Sequence, residues 1–226
     1  MKKLIYFISF ICFTITSTAQ INEIGVFVGG ANYVGDIGSE YYINPNNFMG
    51  GVIYKYNLNP RMALRGTFTF AQISADDANA TNSARQQRGL RFSNTIKELA
   101  VGLEYNYFEY NLNTYHQTQT PYILVELAAF NYNVAISEFA PLEYEYGSKT
   151  SIAIPFGLGY KFKISRGLAM ALEVRATYTF TDEIDYNNSE FPSLTFGNPN
   201  SNDWYTFTGI SIVYAFGRPP CYATPY

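Results

Sequence analysis

The chain has 226 residues, of which 47% are hydrophobic and 15% charged, and its formal net charge at pH 7 is −3. A chain without an excess of positive charge offers no basic face for nucleic acid, so we predict no nucleic-acid partner. Beyond the N-terminal segment, the absence of any run of about 18 apolar residues argues against membrane-spanning helices. The 21 tyrosines and 18 phenylalanines favour a β-barrel, because aromatic girdles line both rims of such barrels in the outer membrane.

The N-terminus has the features of a secretory signal peptide. Lys2 and Lys3 precede an apolar run over residues 4–15, and small residues follow immediately. This run is too short to span a bilayer. We therefore predict that residues 1–19 are a signal peptide that is removed.

The rest of the sequence shows no linker and no shift in composition that would divide it. We predict one β-barrel domain over residues 20–216 and a periplasmic tail over residues 217–226. Cys12 lies within the signal peptide, which leaves Cys221 as the lone cysteine of the mature chain. An unpaired cysteine in an oxidising compartment suggests a disulfide with another protein.

Eight segments alternate apolar and polar residues with the period of a β-strand. In the seventh segment Glu173 and Arg175 alternate with Leu172 and Val174, so one face suits lipid and the other suits a polar lumen. The pattern predicts an all-β fold, an eight-stranded antiparallel transmembrane β-barrel of the outer-membrane type. Its strands are predicted at 22–33, 48–58, 61–73, 96–109, 121–135, 151–163, 169–181 and 204–216.

The lengths of the connections predict the orientation of the barrel. Those after strands two, four and six are short or moderate, whereas those after the odd-numbered strands are long and polar, including 137–150. Outer-membrane barrels keep short turns in the periplasm, so we expect both termini there. Pro155 falls within the sixth strand, where its missing N–H predicts a bulge or a local break. No helix is predicted.

Charged side chains occupy the alternate positions of the strands that are predicted to face inward. Eight strands enclose only enough space for their own side chains or one small ligand, so the sequence argues against a diffusion channel. Unpaired buried charges are costly, and we therefore expect these side chains to pair as an ionic plug, with a gated conduit or ligand site as the alternative. The predicted lumen network consists of Lys55, Arg65, Glu104, Glu126, Lys161, Glu173 and Arg175.

Catalysis is not expected from the inventory of reactive residues. The single histidine, His116, lies in a predicted periplasmic turn, whereas the acidic residues Asp182 and Asp185 lie in a predicted extracellular loop. A Ser–His–Asp arrangement would have to straddle the membrane. One histidine and one mature cysteine are too few for a transition-metal site. The sequence thus predicts a non-enzymatic protein without a metal or another cofactor.

Two sequence blocks carry a family resemblance. They are residues 23–36 (EIGVFVGGANYVGD) and residues 98–106 (ELAVGLEYN). The chain resembles the PorG family of outer-membrane β-barrels, part of the type IX protein secretion and gliding motility machinery of Bacteroidetes. The resemblance implies an accessory role, in which the barrel anchors a periplasmic ring of a PorK-type lipoprotein and its PorN-type partner. It implies no translocation pore and no catalytic residues.

The C-terminal tail is the predicted partner-binding segment. Its paired prolines favour extended chain, and a tyrosine beside a lone thiol suits insertion into a groove of a partner. The hypothesis assigns partner binding to Arg218, Pro219, Pro220, Cys221 and Tyr222. The alternative is a surface adhesion or structural barrel that acts through its extracellular loops.

Overall fold

Eight antiparallel strands close into a barrel in the computed structural model, which describes residues 22–112, 118–140, 143–188, 191, 194–196 and 201–217. Each strand pairs with its neighbours in sequence, and β8 pairs with β1 over the whole length of both strands. The predicted fold class is confirmed. The strands are β1 (Asn22–Val34), β2 (Asn47–Asn59), β3 (Met62–Asp76), β4 (Arg91–Asn106), β5 (Gln119–Ala140), β6 (Glu143–Ser165), β7 (Leu168–Thr179) and β8 (Trp204–Phe216).

The alternation along each strand separates an outer wall from a lumen. On β4, the side chains of Leu99 and Val101 are each 62% exposed, whereas Ala100 between them is 1% exposed. Successive side chains of a strand point to opposite faces, so a closed barrel sends one set outward and the other inward. The local period of the sequence is therefore enough to assign each residue to a face.

The outer wall is an apolar belt. Large hydrophobic side chains of all eight strands project outward, and Leu127 and Leu158 are 62% and 65% exposed. A contiguous apolar surface of this extent would be unfavourable in water but is favourable in hydrocarbon. Because the sheet is closed, it has no edge strand whose backbone groups would be exposed to lipid. The wall is thus built to contact lipid.

The two ends of the barrel differ. At one end, called here the turn end, β2–β3 and β6–β7 are joined by tight turns, and β1 begins and β8 ends there. At the other end, called the loop end, β1–β2, β3–β4 and β7–β8 are joined by long connections. The predicted short turns after β2 and β6 and the predicted long connections after β1, β3 and β7 are confirmed, whereas the β4–β5 connection at the turn end, residues 107–118, is as long as the β1–β2 connection, residues 35–46.

The prediction of a long loop over residues 137–150 is wrong. Strands β5 and β6 continue through it as a hairpin that extends beyond the barrel, with pairing as far as Ala140 and Glu143. Two register shifts, after Ala135 and after Glu138, accommodate the strong twist of a two-stranded ribbon. Polar side chains suit this hairpin because it lies outside the belt.

The expectation of no helix is also wrong, because the β3–β4 connection contains a 3₁₀ turn and a short helix α1 (Ser83–Arg88). The Asn82 side chain caps α1 by accepting a hydrogen bond from the Ala84 N–H at 2.8 Å. Gly89, with φ of 68°, ends it in the left-handed conformation. No helix in the described part of the chain is long and apolar enough to cross a membrane.

Pro155 produces the predicted break in β6, without a bulge. Pairing between β5 and β6 stops after Val125–Phe156 and resumes at Ala128–Ala153 in the same register. On the other side, Pro155 stays in register with Thr177 of β7. The missing proline N–H thus interrupts one ladder and leaves the barrel closed.

Candidate functional site: the filled lumen and the loop end

The structure brings together the seven charged side chains of the predicted lumen network. All of them face inward, and none is more than 4% exposed. An eighth member, Glu98, lies among them and is fully buried. We call this set the charged layer; it consists of Lys55, Arg65, Glu98, Glu104, Glu126, Lys161, Glu173 and Arg175.

Glu104 is the acceptor for two lysines. Its carboxylate lies 2.7 Å from the Lys55 Nζ and 2.5 Å from the Lys161 Nζ, and Arg65 approaches it at 3.5 Å. Lys161 also lies over the ring of Tyr110, 4.6 Å from its centroid. Three strands, β2, β4 and β6, are thus tied together across the lumen by one carboxylate.

Arg65 and Glu173 form a two-pronged ion pair. The two terminal guanidinium nitrogens donate to the two carboxylate oxygens at 2.6 and 3.0 Å. The hydroxyl of Tyr122 donates to the same carboxylate at 2.8 Å. Such bidentate geometry is the strongest form of the carboxylate–guanidinium contact and fixes the orientation of both groups.

Arg175 lies between Glu126, at 3.3 Å, and Glu98, at 3.5 Å. Glu98 also accepts from the hydroxyls of Tyr205 and Thr69. The sequence analysis missed Glu98. Glu98 and Glu104 are an even number of positions apart on β4, so they face the same side of the strand, and this spacing could have identified Glu98 as a lumen residue. With it, four acidic side chains face four basic ones, so the charged layer has no net charge.

Glycines make room for this layer. An added Cβ at Gly159 would lie 2.2 Å from the Tyr122 ring, and one at Gly102 would lie 2.5 Å from the Glu126 Cα. Both glycines are on inward-facing parity, where a narrow barrel cannot accommodate a side chain at every position. The hydrogen bond from Tyr122 to Glu173 thus depends on Gly159.

The half of the lumen nearer the loop end is apolar, which the sequence analysis did not expect. A cluster of buried side chains fills it, with the Arg175 guanidinium 5.7 Å from the ring centroid of Phe27 and 5.6 Å from that of Phe207 at the boundary with the charged layer. We call it the apolar layer. Its buried aromatic members are Phe27, Tyr33, Phe92, Phe130, Tyr132, Tyr205 and Phe207.

The β7–β8 connection covers the apolar layer at the loop end. Ile184 is fully buried in the apolar layer, and its backbone is held by the Asn94 side chain, which donates to its C=O at 2.8 Å. The Asp203 carboxylate accepts from the Ile184 N–H at 3.1 Å. The connection thus places one apolar side chain over the end of the lumen.

The Tyr33 hydroxyl holds this connection to β1. It lies within hydrogen-bonding distance of Asp203 and 2.8 Å from Asp185. A hydroxyl has one hydrogen, so both contacts are hydrogen bonds only when one of the two carboxyls is protonated. Burial and the neighbouring Asp185 raise the pKa of Asp203 well above its ordinary value, and burial raises the pKa of Asp185 to about 6. Burial and the same Asp185 raise the pKa of Asp182 to about 7.

Several predicted residues lie outside the described part of the chain. These are His116, the signal peptide, and the whole of the proposed partner-binding set, Arg218, Pro219, Pro220, Cys221 and Tyr222. Among the residues that the structure describes, no group of three or more His, Cys, Asp or Glu side chains is placed to hold a metal ion. The described site is therefore the lumen together with its two ends.

A closed barrel of eight strands with a lipid-facing wall and a filled lumen defines a small β-barrel of the outer-membrane type. More particularly, the family described as "Domain of unknown function (DUF6089)" matches residues 2–225, and the chain belongs to that family. No curated protein matches it.

Solved structures of other outer-membrane proteins show a remote similarity. The attachment invasion locus protein Ail of Yersinia pestis is 12% identical, with a TM-score of 0.46, and the match covers 87% of this chain and 99% of Ail. Neisserial surface protein A is also 12% identical, with a TM-score of 0.47 and coverage of 88% and 98%. The N-terminal barrel of Pseudomonas aeruginosa OprF is 11% identical, with a TM-score of 0.45 and coverage of 89% and 100%. These similarities are too weak for any property of those proteins to be extended to this chain.

Proposed function

We propose that this chain is a non-enzymatic outer-membrane accessory component of the type IX protein secretion and gliding machinery. In this role it anchors or stabilises a periplasmic ring complex at the outer membrane. The proposal places the turn end and both termini in the periplasm. The partners are a PorK-type lipoprotein and its PorN-type partner, together with the lipid around the barrel.

The observation that carries the proposal is the filled lumen. The charged layer is neutral and paired, and the apolar layer covers it toward the loop end. A hydrated ion crossing the barrel would have to break buried ion pairs and then enter an apolar region, and both steps are costly. A barrel of this kind acts through its wall and its ends, as a fixed support for other proteins.

The sequence blocks that resemble PorG support the choice of machinery. Residues 23–34 of the first block lie on β1, and residues 98–106 of the second lie on β4. The second block supplies Glu98 and Glu104, two of the four acidic side chains of the charged layer. The resemblance therefore includes residues that fix the interior of the barrel.

Contact with the ring is proposed at the turn end. The chain leaves β8 at Gly217 on this side of the barrel, so the tail begins where a periplasmic partner would bind. The proposed contacts are the five tail residues 218–222, with Cys221 forming a disulfide to the partner or packing against it. The tight turns of the same end complete the surface.

A deletion experiment tests this assignment. In cells that carry the secretion system, residues 218–226 are removed from one variant, and in a second the α1 helix is replaced by a short Gly–Ser turn. Secretion of a cargo protein and recovery of the ring lipoprotein with the barrel are measured at equal amounts of barrel in the outer membrane. We expect the tail deletion to abolish both and the loop variant to retain both. The reverse result would reject the proposal.

The alternative, a surface barrel that acts through its loops, is favoured by the construction of the loop end. The β5–β6 hairpin projects beyond the barrel, and a polar cavity of about 420 Å³ lies between the outer part of β6 and the β7–β8 connection. Lys149 and Glu183 on its wall form an ion pair at 2.5 Å. A requirement for this end, with a dispensable tail, would support the alternative.

A further inference from the structure

Two side chains on the outer wall are buried although they point away from the lumen. Asn32 lies between Ala31 and Tyr33, which both pack in the apolar layer, so Asn32 faces outward; it is nevertheless only 4% exposed. Its register partner on β8, Thr206, also faces outward and is 5% exposed. Something therefore covers the wall where β1 meets β8.

The cover is residues 41–45 of the β1–β2 connection, called here the wall segment. The Asn32 amide donates to the C=O groups of Tyr41 and Tyr42 at 3.3 and 3.2 Å, and its oxygen accepts from the Asn44 N–H at 3.1 Å. The Thr206 hydroxyl lies 2.9 Å from the Tyr42 C=O and also within hydrogen-bonding distance of the Asn32 side-chain oxygen, and its one hydrogen is donated to one of these two acceptors at a time. Side chains of two strands thus bind the backbone of the wall segment and leave the side chains of Tyr41, Tyr42 and Ile43 exposed.

Close packing below these hydrogen bonds keeps the wall segment against the barrel. An added Cβ at Gly30, the next outward-facing position on β1, would lie 2.4 Å from the Pro45 Cβ. Only glycine allows this approach. One residue further, the Asn46 N–H donates to the Ala31 C=O at 3.1 Å. The connection therefore folds back along the outside of the barrel before β2 begins.

The wall segment presents three consecutive large hydrophobic side chains. Tyr41 is 61% exposed, Tyr42 is 72% exposed and Ile43 is 58% exposed. Their backbone is bound to the barrel, so the exposure follows from the construction of the segment. In water this arrangement is unfavourable, whereas tyrosine suits a membrane boundary, where its ring is apolar and its hydroxyl reaches water.

Neighbouring strands show which surrounding the wall segment meets. Phe48 of β2 is paired with Gly30 and is 54% exposed on the outer wall. On the other side, Trp204 of β8 packs against Tyr178 of β7, with ring centroids 4.8 Å apart and ring planes tilted by 60°. These are the aromatic residues of the belt's rim at the loop end. At the β1–β8 seam, the outward positions between the Val34–Trp204 pair and the Val28–Ile210 pair are Gly30, Asn32, Thr206 and Thr208. None of these four residues has a large apolar side chain, so this stretch of the rim has a gap that the wall segment fills.

We propose that the wall segment is a lipid-binding element, which inserts Tyr41, Tyr42 and Ile43 into the boundary between hydrocarbon and headgroups of the adjacent leaflet. It completes the aromatic rim at the β1–β8 seam. The occupant of this surface is phospholipid or glycolipid, because the segment is continuous with the lipid-facing belt. The inference is independent of any secretion partner and of which leaflet the loop end faces.

The test uses a single tryptophan as a depth reporter in the full barrel reconstituted in phosphatidylcholine vesicles. The native chain contains one tryptophan, Trp204, which serves as the reference for the rim. In a Trp204→Phe background, the reporter is moved to the wall segment as Tyr42→Trp. The matched control is Tyr146→Trp, which replaces a residue that is 59% exposed on the projecting hairpin. Quenching by phospholipids brominated on the acyl chain is compared with quenching by aqueous iodide.

We expect the reporter at position 42 to emit at shorter wavelength than that at position 146, and to lose intensity with brominated lipid as native Trp204 does. Adding Asn32→Ala should release the wall segment and shift quenching from lipid to iodide. If position 42 responds to iodide as position 146 does, and not to brominated lipid, the proposal is overturned. Quenching by lipid that Asn32→Ala leaves unchanged would overturn the role of the Asn32 hydrogen bonds in holding the wall segment. Tyr41→Trp provides a second reporter should Tyr42→Trp fail to fold.

Discussion

Replacement of Glu104 by glutamine tests how far the charged layer depends on its balance of charge. The change keeps the volume of the side chain and removes its negative charge, so that three acidic side chains then face four basic ones. Lys55 and Lys161 both lose their ion-pair partner, and among the described residues neither has a second one. Removing one member of a buried ion pair costs about 3–5 kcal/mol, and we expect a loss of this size in the free energy of unfolding.

The assay is equilibrium unfolding in urea of the barrel refolded in lipid vesicles, followed by the fluorescence of Trp204. The matched control is Glu109→Gln, because Glu109 is 71% exposed and forms a long ion pair of 3.6 Å with Arg61, which predicts a loss of about 0–1 kcal/mol. Adding Lys161→Met to Glu104→Gln should restore part of the stability, since it removes one of the unpaired cations. Equal stabilities of the Glu104 and Glu109 variants would refute the reasoning.

Three further predictions concern the wall, the packing and the loop end. Leu103→Arg, on the lipid-facing wall, should cost about 2–4 kcal/mol in vesicle unfolding, and a loss below 1 kcal/mol would place this face outside the hydrocarbon. Gly159→Ala should cost about 1–3 kcal/mol in the free energy of unfolding, because the added methyl group displaces the Tyr122 ring. The control is Gly66→Ala, whose added Cβ would lie 3.9 Å from its nearest atom and which should leave the stability unchanged. Similar losses for the two variants would contradict the packing described for Gly159. The pKa of Asp203 is higher in the folded protein than in the unfolded chain, where it is about 4. The protonated carboxyl therefore stabilises the fold fully below about pH 4, and this contribution is lost as the pH rises toward the pKa of the folded protein. Native stability should therefore fall relative to Asp203→Asn between pH 4 and pH 7 in urea unfolding; a constant difference would contradict this.

The strands could be predicted from the sequence because their signal is local. Alternation of apolar and polar residues identifies the part of each strand inside the membrane, and the predicted limits of β8 agree with those of the structure. The β5–β6 hairpin was missed where it leaves the membrane. Beyond Asn131 the outward side chains no longer meet lipid, so the alternation that marked the strand weakens while backbone pairing continues.

The site was less predictable because it depends on barrel closure. Parity placed the charged residues inside, but nothing local indicates that Arg65 pairs with Glu173, which is 108 positions away. The apolar layer escaped notice because inward positions were expected to be polar throughout. The wall segment depends on Asn32 and Thr206, which meet only when β8 pairs with β1. Its one local signal was the run of Tyr41, Tyr42 and Ile43 in an otherwise polar connection.

The most direct test of the anchoring role identifies what lies beside the tail in living cells. Cells carrying the native protein or Cys221→Ser are first incubated with or without a short thiol-reactive cross-linker. All cells are then treated with a thiol blocker before lysis. Outer-membrane proteins are then separated without reductant, and any adduct is identified by mass spectrometry. The account predicts an adduct with a periplasmic lipoprotein that is absent from the serine variant. The absence of any periplasmic adduct under both conditions, together with normal secretion by the serine variant, would contradict it.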